Sequence, residues 1–444
     1  MKISIFWHRR DLRLFDNAGL YHALSGPDPV LPLFIFDRHI LDALEDKDDA
    51  RVSFIHQHIK ALEEQLRQME SQLLVCYGNP LDIWKDIVAN FDIAAVFTNQ
   101  DYEPYARSRD AAIAALLKEN GIAWHSIKDQ CLRGPEEVLK DDGKPYTVFT
   151  PYAKKWRKTA PQELFNSFDN LSASTNFYKK KYEEKFSVPT LQEMGFQPSS
   201  LIAFPAKQVP DDRLARYADL RDLPGREGTT RLSVHLRFGT ISVRQLARQA
   251  KDLSDTFINE LIWRDFYMMI LWHFPHVAQE AFRPEYDFIA WQNDESAFMS
   301  WCAGQTGYPM VDAGMRQLNQ TGYMHNRVRM VVASFLTKHL LIDWRWGEAY
   351  FAQKLLDFEL SSNNGGWQWA AGSGCDAAPY FRVFNPTAQL KKFDPDLKYV
   401  KKWISEYGDF SYPAPIVDHA YARQRALDTY KAGLTKGKAA LAGM

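Results

Sequence analysis

Five short apolar runs, at residues 3–7, 31–36, 72–77, 93–98 and 122–127, alternate with amphipathic patterns at 51–69, 80–91 and 105–120. Runs that are apolar at nearly every position predict strands buried on both faces, and the intervening period of 3.6 predicts helices. Strand and helix in strict alternation fold into a parallel sheet through right-handed crossovers, with helices on both sides. Ligands of such doubly wound sheets sit at the carboxyl ends of the strands. The loop after the first strand reads His8-Arg9-Arg10-Asp11-Leu12-Arg13, so no GxGxxG dinucleotide fingerprint is present there. Solvated loop charge and a charged ligand rim both fit that loop.

The alternation stops near residue 134. Residues 134–206 are rich in proline and polar residues and include the charge run from Lys179 to Lys185, which predicts a long, mostly solvated connector. Beyond residue 211 the period is helical almost throughout, at 212–220, 242–251, 255–272, 295–304, 308–320, 325–341 and 346–356, with a further helix at 421–431. The expected organisation is an α/β domain over 1–132, a connector over 133–205 and an all-α domain over 206–444. No internal repeat is visible. An all-α domain has no strand ends on which to build a site, so its ligand belongs in a cavity between helices.

A chain of 444 residues with 46% hydrophobic and 25% charged residues suits two or three globular domains. The four cysteines, Cys76, Cys131, Cys302 and Cys375, show no CxxC spacing, so neither zinc ligation nor a disulfide framework is suggested. No signal-peptide pattern and no apolar run of membrane-spanning length appear, and a cytoplasmic protein is expected. The net charge of −1 hides local asymmetry: residues 316–345 carry Arg316, Arg327, Arg329, Lys338 and Arg345 against Asp343 alone. A neutral total therefore leaves room for a basic nucleic-acid face.

Aromatic residues make up 14% of the chain, and four stretches concentrate residues suited to a flat ligand. In 361–374 the adjacent amides Asn363 and Asn364, two glycines and the pair Trp367 and Trp369 stand together; a tight helical packing corner explains them equally well. In 228–233, Gly-Thr-Thr-Arg-Leu-Ser offers hydroxyls and backbone N–H groups for a phosphate, or an ordinary helix cap. Glu260 and Trp263 are three apart and share a helix face, as a helical ion-pair face also would. Asn326 and Met330 are four apart and share another, placing an amide beside a soft thioether.

Taken in order, the start 6–13, 228–233, Glu260 to Phe266, Thr306-Gly307-Tyr308-Pro309, Met324 to Met330 and Asn363 to Trp369 resemble the photolyase/cryptochrome family. The likeness runs from the first strand to Asn385-Pro386 and is nearest to the class I cyclobutane pyrimidine dimer photolyases. It implies FAD as cofactor, UV-damaged DNA as partner, and light-driven splitting of cyclobutane pyrimidine dimers by electron transfer from excited reduced FAD. By resemblance Tyr217, Thr229, Thr230, Arg231, Leu232 and Ser233 lie around the FAD phosphates, and Phe257 stands near the cofactor where the family usually has tryptophan. Asp357 and Glu359 match an Asp-x-Asp pair on the flavin and ribose side, with Glu359 one methylene longer than the family's residue. Asn363 aligns with the residue that faces flavin N5.

The resemblance also implies a lesion pocket walled by Trp263 and Trp369, with Glu260 and Asn326 on its polar edges and Met330 beneath. Glu260 must share a proton with a pyrimidine carbonyl there, and a dry pocket is expected to raise its pKa. Arg221, Arg327 and Gln389 correspond to DNA-contacting positions, and Trp367, Trp344 and Trp291 to a tryptophan relay for flavin photoreduction. A second antenna chromophore is left open: Ala106 stands where folate-binding members have an acid, which points to a deazaflavin, another flavin or nothing. The rival expectations are a (6-4) photolyase, whose lesion-site histidines have no match here, a signalling cryptochrome, and a dark-acting flavin enzyme. A monomer without metal is expected.

Overall fold

The computed structural model describes residues 2–179, 187–200 and 203–443. Most of the charge run from Lys179 to Lys185 lies outside the described residues. The chain forms two compact units, one of residues 1–134, 159–209 and 231–253, the other of 135–158, 210–230 and 254–444.

The first unit is built on five parallel strands, β1 (Ile3–His8), β2 (Val30–Asp37), β3 (Leu74–Gly78), β4 (Ile93–Asn99) and β5 (Ala123–Ile127). Their order is β3-β2-β1-β4-β5, so the winding reverses between β1 and β4. That reversal creates the crevice in which ligands of such sheets bind. Helices α1 (Ala18–Leu24), α2 (Ala50–Gln68), α3 (Pro80–Asn90) and α4 (Pro104–Glu119) make the crossovers. Helix α3 starts where the Asn79 side chain accepts from Leu81 N at 3.0 Å and Pro80 fixes the first helical φ. Ile5, Trp7, Leu33, Val96, Trp84 and Ile113 form the buried core, as continuous apolar strands require.

The loop 8–13 after β1 is not solvated. His8, Arg10, Asp11 and Arg13 are buried, because each arginine in the loop meets a carboxylate: Arg10 reaches Asp101 at 3.2 Å and Glu103 at 3.0 Å, Arg13 reaches Asp129 at 2.6 Å, and Arg9 pairs with Asp110. Arg244, from the segment 231–253, completes the cluster on Asp129 at 2.7 Å and Asp16 at 2.9 Å.

The second unit contains no strand among its described residues. Its helices include α5 (Phe149–Lys158), α6 (Asp255–His273), α7 (Asn326–Ser334), α8 (Trp344–Lys354), α9 (Leu360–Ala371), α10 (Pro386–Phe393) and α11 (His419–Ala442). Three sequence expectations shift here. The pattern at 212–220 is two short helices, Asp211–Ala215 and Tyr217–Leu220, and the one at 325–341 is α7 followed by a wider π-turn over Phe335–His339. The stretch expected as solvated connector contains α5, which buries Phe149, Tyr152 and Trp156. Trp156 Nε1 donates to the buried Asp265 of α6 at 3.0 Å, so a helix with four basic residues is held by one apolar face and one polar anchor.

The core of this unit runs through Trp301, Met315, Val332, Leu336, Trp344 and Trp367. Its closest approach is made possible by glycine: a Cβ on Gly347 would stand 2.1 Å from the Trp367 ring.

Candidate active site

The stretch 361–374 is a helix for most of its length, and its start explains Glu359. Glu359 Oε2 accepts from Ser362 N at 3.0 Å and from Ser361 Oγ at 2.6 Å, capping α9. The extra methylene relative to aspartate is thus directed to the helix's own first turn, while the residue still lines the cavity beside α9. Gly365 lets α9 press against α6, since a Cβ there would meet the Tyr267 ring at 2.3 Å.

Between α6, α7, α8 and α9 lies a cavity of about 510 Å3, within the range of roughly 300–1,000 Å3 usual for small-molecule and cofactor sites. It gathers the four residues expected to carry chemistry: Glu260 from α6, Asn326 and Met330 from α7, and Asn363 from α9. Trp263, Trp367 and Trp369 line it too, as do Arg221, Asp357 and Glu359. The helical spacings account for this. Glu260 with Trp263, and Asn326 with Met330, present shared faces to the same space. Trp367 and Trp369 are two apart, about 200° around a helix. Trp367 is buried against Trp301 and Phe351, with ring centroids at 6.1 and 5.0 Å, whereas Trp369 tilts toward Phe384 at 6.4 Å.

Other expected residues stand elsewhere. Tyr217 and Phe257 meet edge to face at 5.1 Å, and the Tyr217 ring lies under the Arg221 guanidinium at 5.7 Å. The Thr229 hydroxyl is 3.2 Å from the Tyr323 hydroxyl. The boundary between the two compact units falls after Thr230; Arg231 takes a positive φ of 54°, Leu232 is buried and Ser233 opens a five-residue helix, all in the first unit. Gln389 sits half-buried on α10. Trp344 begins α8 with the Arg345 guanidinium 4.7 Å from its ring centre, and Trp291 packs edge-on to Tyr430 at 5.7 Å. Trp291, Trp344 and Trp367 belong to one continuous aromatic and aliphatic cluster.

Both arginines expected at phosphates are held by carboxylates. Arg221 pairs with Glu260, and Arg327 donates to Asp222 at 2.9 Å while lying over the Phe393 ring at 4.4 Å. Burial raises the Glu260 carboxyl above its ordinary range, with Arg221 pulling the other way. The raised acid matches the expectation from sequence.

Four contributors escaped sequence reading. Phe149 of α5 stacks on Trp263 with centroids 3.6 Å apart and planes within 6°, covering one indole face. Arg329 grips both oxygens of Asp357, at 3.1 and 2.9 Å. Tyr267, one turn beyond Trp263, joins the cavity wall. Glu348 of α8 accepts the Asn363 amide through Oε1 at 2.8 Å and through its backbone oxygen at 3.2 Å. Burial raises the Glu348 carboxyl as well. For Tyr267 the signal was its offset of four from Trp263 on α6; Phe149, Arg329 and Glu348 meet partners on other elements, which no local spacing reveals.

The arrangement fits a flat, amphipathic aromatic group. With both Asn363 donor hydrogens directed at Glu348, its Oδ1 has no donor among the described residues and is available to an N–H of the ligand. Trp367 Nε1 is buried without a partner. Gly366 lines the cavity with open space where a Cβ would stand, so its backbone admits a close-lying ring. These features fit the flat ring system of FAD.

Comparison with known proteins agrees. Residues 4–169 match the DNA photolyase family model and residues 257–411 the model of the FAD binding domain of DNA photolyase. A deoxyribodipyrimidine photo-lyase of Synechococcus is 38% identical, covering 99% of this chain and 97% of the relative. Among solved structures, a bacterial class III photolyase from Agrobacterium tumefaciens superposes with a TM-score of 0.86 at 33% identity, covering 98% of each chain. An archaeal photolyase from Sulfolobus tokodaii containing two FAD molecules gives 0.80 at 36% identity, covering 97% of this chain and 99% of that one. A Synechocystis cryptochrome gives 0.85 at 25% identity, again covering 97% and 99%. The chain belongs to the DNA photolyase family, within the photolyases and cryptochromes, and carries that family's FAD-binding domain.

Proposed function

We propose that this protein is a deoxyribodipyrimidine photo-lyase that splits cyclobutane pyrimidine dimers in DNA under light. The observation that carries the reading is the single cavity in which Asn363 and Trp367 stand with Glu260, Asn326, Met330, Trp263 and Trp369. Bound FAD supplies the light-driven electron to the lesion. The chain's own residues bind, orient and exclude water. Trp263, stiffened from behind by Phe149, and Trp369 offer apolar walls to a dimer flipped from the duplex. A dimer is poorly stacked and paired, so extruding it costs less than extruding a normal pair, and this favours lesions over undamaged DNA. Asn326 presents an amide to a base edge, Met330 a soft contact, and Glu260 a proton to a carbonyl on which negative charge develops.

Asn363, held by Glu348, would accept a hydrogen bond from the N5–H of reduced flavin through Oδ1. Tyr217, Thr229, Thr230, Arg231, Leu232, Ser233 and Phe257 are the proposed remaining FAD contacts, with Asp357 and Glu359 at the ribose side. Trp367, Trp344 and Trp291 relay electrons inward. Arg221, Arg327 and Gln389 contact the DNA backbone, and its phosphates make affinity fall with salt. The protein acts as a cytoplasmic monomer. Its sheet unit is the antenna domain; Ala106, where folate-binding members have an acid, leaves a deazaflavin, another flavin or no second chromophore there. No described helix is long and apolar enough to cross a membrane.

The test is direct. Flavin-loaded protein is mixed with an oligonucleotide carrying one thymine cyclobutane dimer, in darkness and under blue light. Repair in the light alone is expected. Equal repair in both samples, or none in either, overturns the reading, and the second outcome favours a cryptochrome-type photoreceptor.

A further inference from the structure

The Arg221 guanidinium has two claims on it: it is the cation for Glu260 inside the cavity, and it is one of two arginines suited to a phosphate at the mouth. The two claims compete for the same five donors and one positive charge, although a guanidinium can serve two anions, as Arg244 does with Asp16 and Asp129. Arg327 faces no such conflict within the cavity, since its partner Asp222 stands outside the lining and Phe393 supports its guanidinium.

We propose that Arg221 is an exchangeable partner, holding Glu260 as a carboxylate in the free protein and moving to a DNA phosphate when the lesion docks, whereupon Glu260 takes one proton from solvent. This rests on the repair reading above. After the exchange Arg221 faces a phosphate, Arg327 faces Asp222, Arg329 faces Asp357, and Glu260 is a neutral acid whose O–H points to the lesion carbonyl.

The surroundings determine which group changes. Glu260 is faced by Tyr217, Arg221 and Asp222 from the 217–222 segment and by Arg264 and Tyr267 of its own helix, while Arg329, Asp357 and Glu359 share its cavity. Among the cations, Arg329 is already committed to Asp357, and Asp222 adds negative charge that disfavours a carboxylate at Glu260. A phosphate stays ionised at any pH of interest. Without Arg221, burial and the Asp222 charge both act on Glu260 and favour the protonated form. The Arg221 side chain retains 26% exposure, which gives it a route to the exterior.

Lesion binding should therefore be linked to proton uptake. The flavin-loaded protein is titrated in the dark with a short duplex containing one thymine cyclobutane dimer, by calorimetry in phosphate and in Tris, whose ionisation enthalpies differ. Uptake approaching one proton per complex is expected near pH 7.5, with affinity falling about tenfold per pH unit above neutrality. Glu260→Gln should bind with no uptake and a flat pH profile. Arg221→Met should bind less tightly and also without uptake, since Glu260 is then protonated beforehand; bound-flavin absorbance confirms that each variant is intact. Lesion-selective binding with no uptake in the unmodified protein overturns the inference even if neither variant folds, and so does uptake that persists in either variant. Equal affinity for lesion and undamaged duplex is a different failure, removing the repair reading and this inference together.

Discussion

Two clusters of carboxylates, one fully buried and one partly buried, are both pushed upward by desolvation and respond in opposite ways. At the carboxyl end of β1, Asp129 lies between Arg13 and Arg244; burial acts to raise it, but the two guanidinium groups prevail and hold it at about 2. Asp11 in the same loop is also lowered against its burial, by His8 and the Arg9 backbone. In the helical cavity Glu260 has a single arginine and Glu348 only an amide, and burial raises both. The cations and hydrogen-bond donors around each carboxylate decide the sign. A carboxylate with enough of them is locked as an ion and serves structure, whereas one with few stays near the point of protonation and is available for proton chemistry.

The largest effect should come from breaking the locked cluster. Asp129→Ala leaves Arg13 and Arg244 buried beside each other without their common anion, and removal of one member of a buried ion pair costs about 3–5 kcal/mol. Urea unfolding of the sheet unit within the full chain is the measurement. A loss below about 1 kcal/mol would show that water or neighbouring acids replace Asp129. The pH dependence has a defined sign. The folded pKa of about 2 lies below the ordinary value of 3.8, so this contribution is complete above pH 4 and disappears as pH falls from 4 to 2.

The clusters also differ in how far the sequence disclosed them. Strand positions, the parallel sheet and the helical character of the second unit follow from periodicity, which is local. The pairs Glu260 with Trp263 and Asn326 with Met330 were legible for the same reason. The partners that determine behaviour were not. Asp129 lies 116 residues from Arg13, and Phe149 belongs to a stretch whose charge and proline content suggested a connector. Nothing in Arg-Arg-Asp-Leu-Arg distinguishes a solvated loop from a buried ion cluster until the opposing acids are in place. The roles of Asn363 and the tryptophans came through family resemblance, since amides and indoles also pack in ordinary cores.

A smaller effect, confined to the wall of the cavity, is expected at Gly347. An alanine Cβ would meet Trp367 ring atoms at 2.1 and 2.5 Å and Leu336 at 2.6 Å, so the ring or helix α8 must move. Overpacking of this kind costs about 1–3 kcal/mol. Because Trp367 borders both the cavity and the aromatic cluster, Gly347→Ala should slow flavin photoreduction by an external donor more than it slows dimer repair by protein already holding reduced flavin. Equal slowing of both would place the disturbance in the cavity as a whole and remove Trp367 from a specific relay role.

The smallest effect on stability, and the sharpest separation of the two clusters, is expected at Glu348. Its folded pKa is raised, so ionisation in the folded state is disfavoured, and stability declines as pH rises from the ordinary carboxyl value of 4.5 through the raised one. Glu348→Gln removes that titration at little change in volume; the variant should be within about 1 kcal/mol of the parent and no less stable at neutral pH. Its chemistry should change more than its stability. A glutamine can donate as well as accept, so the Asn363 amide is no longer fixed in one orientation and its Oδ1 can turn from the cavity. Faster dark reoxidation of photoreduced flavin in air, by several-fold, is the expected signature, read from the return of oxidised-flavin absorbance. If reoxidation is unchanged while urea stability falls by several kcal/mol, Glu348 behaves like Asp129, and the rule that few cations and donors leave an acid free for chemistry fails at this position.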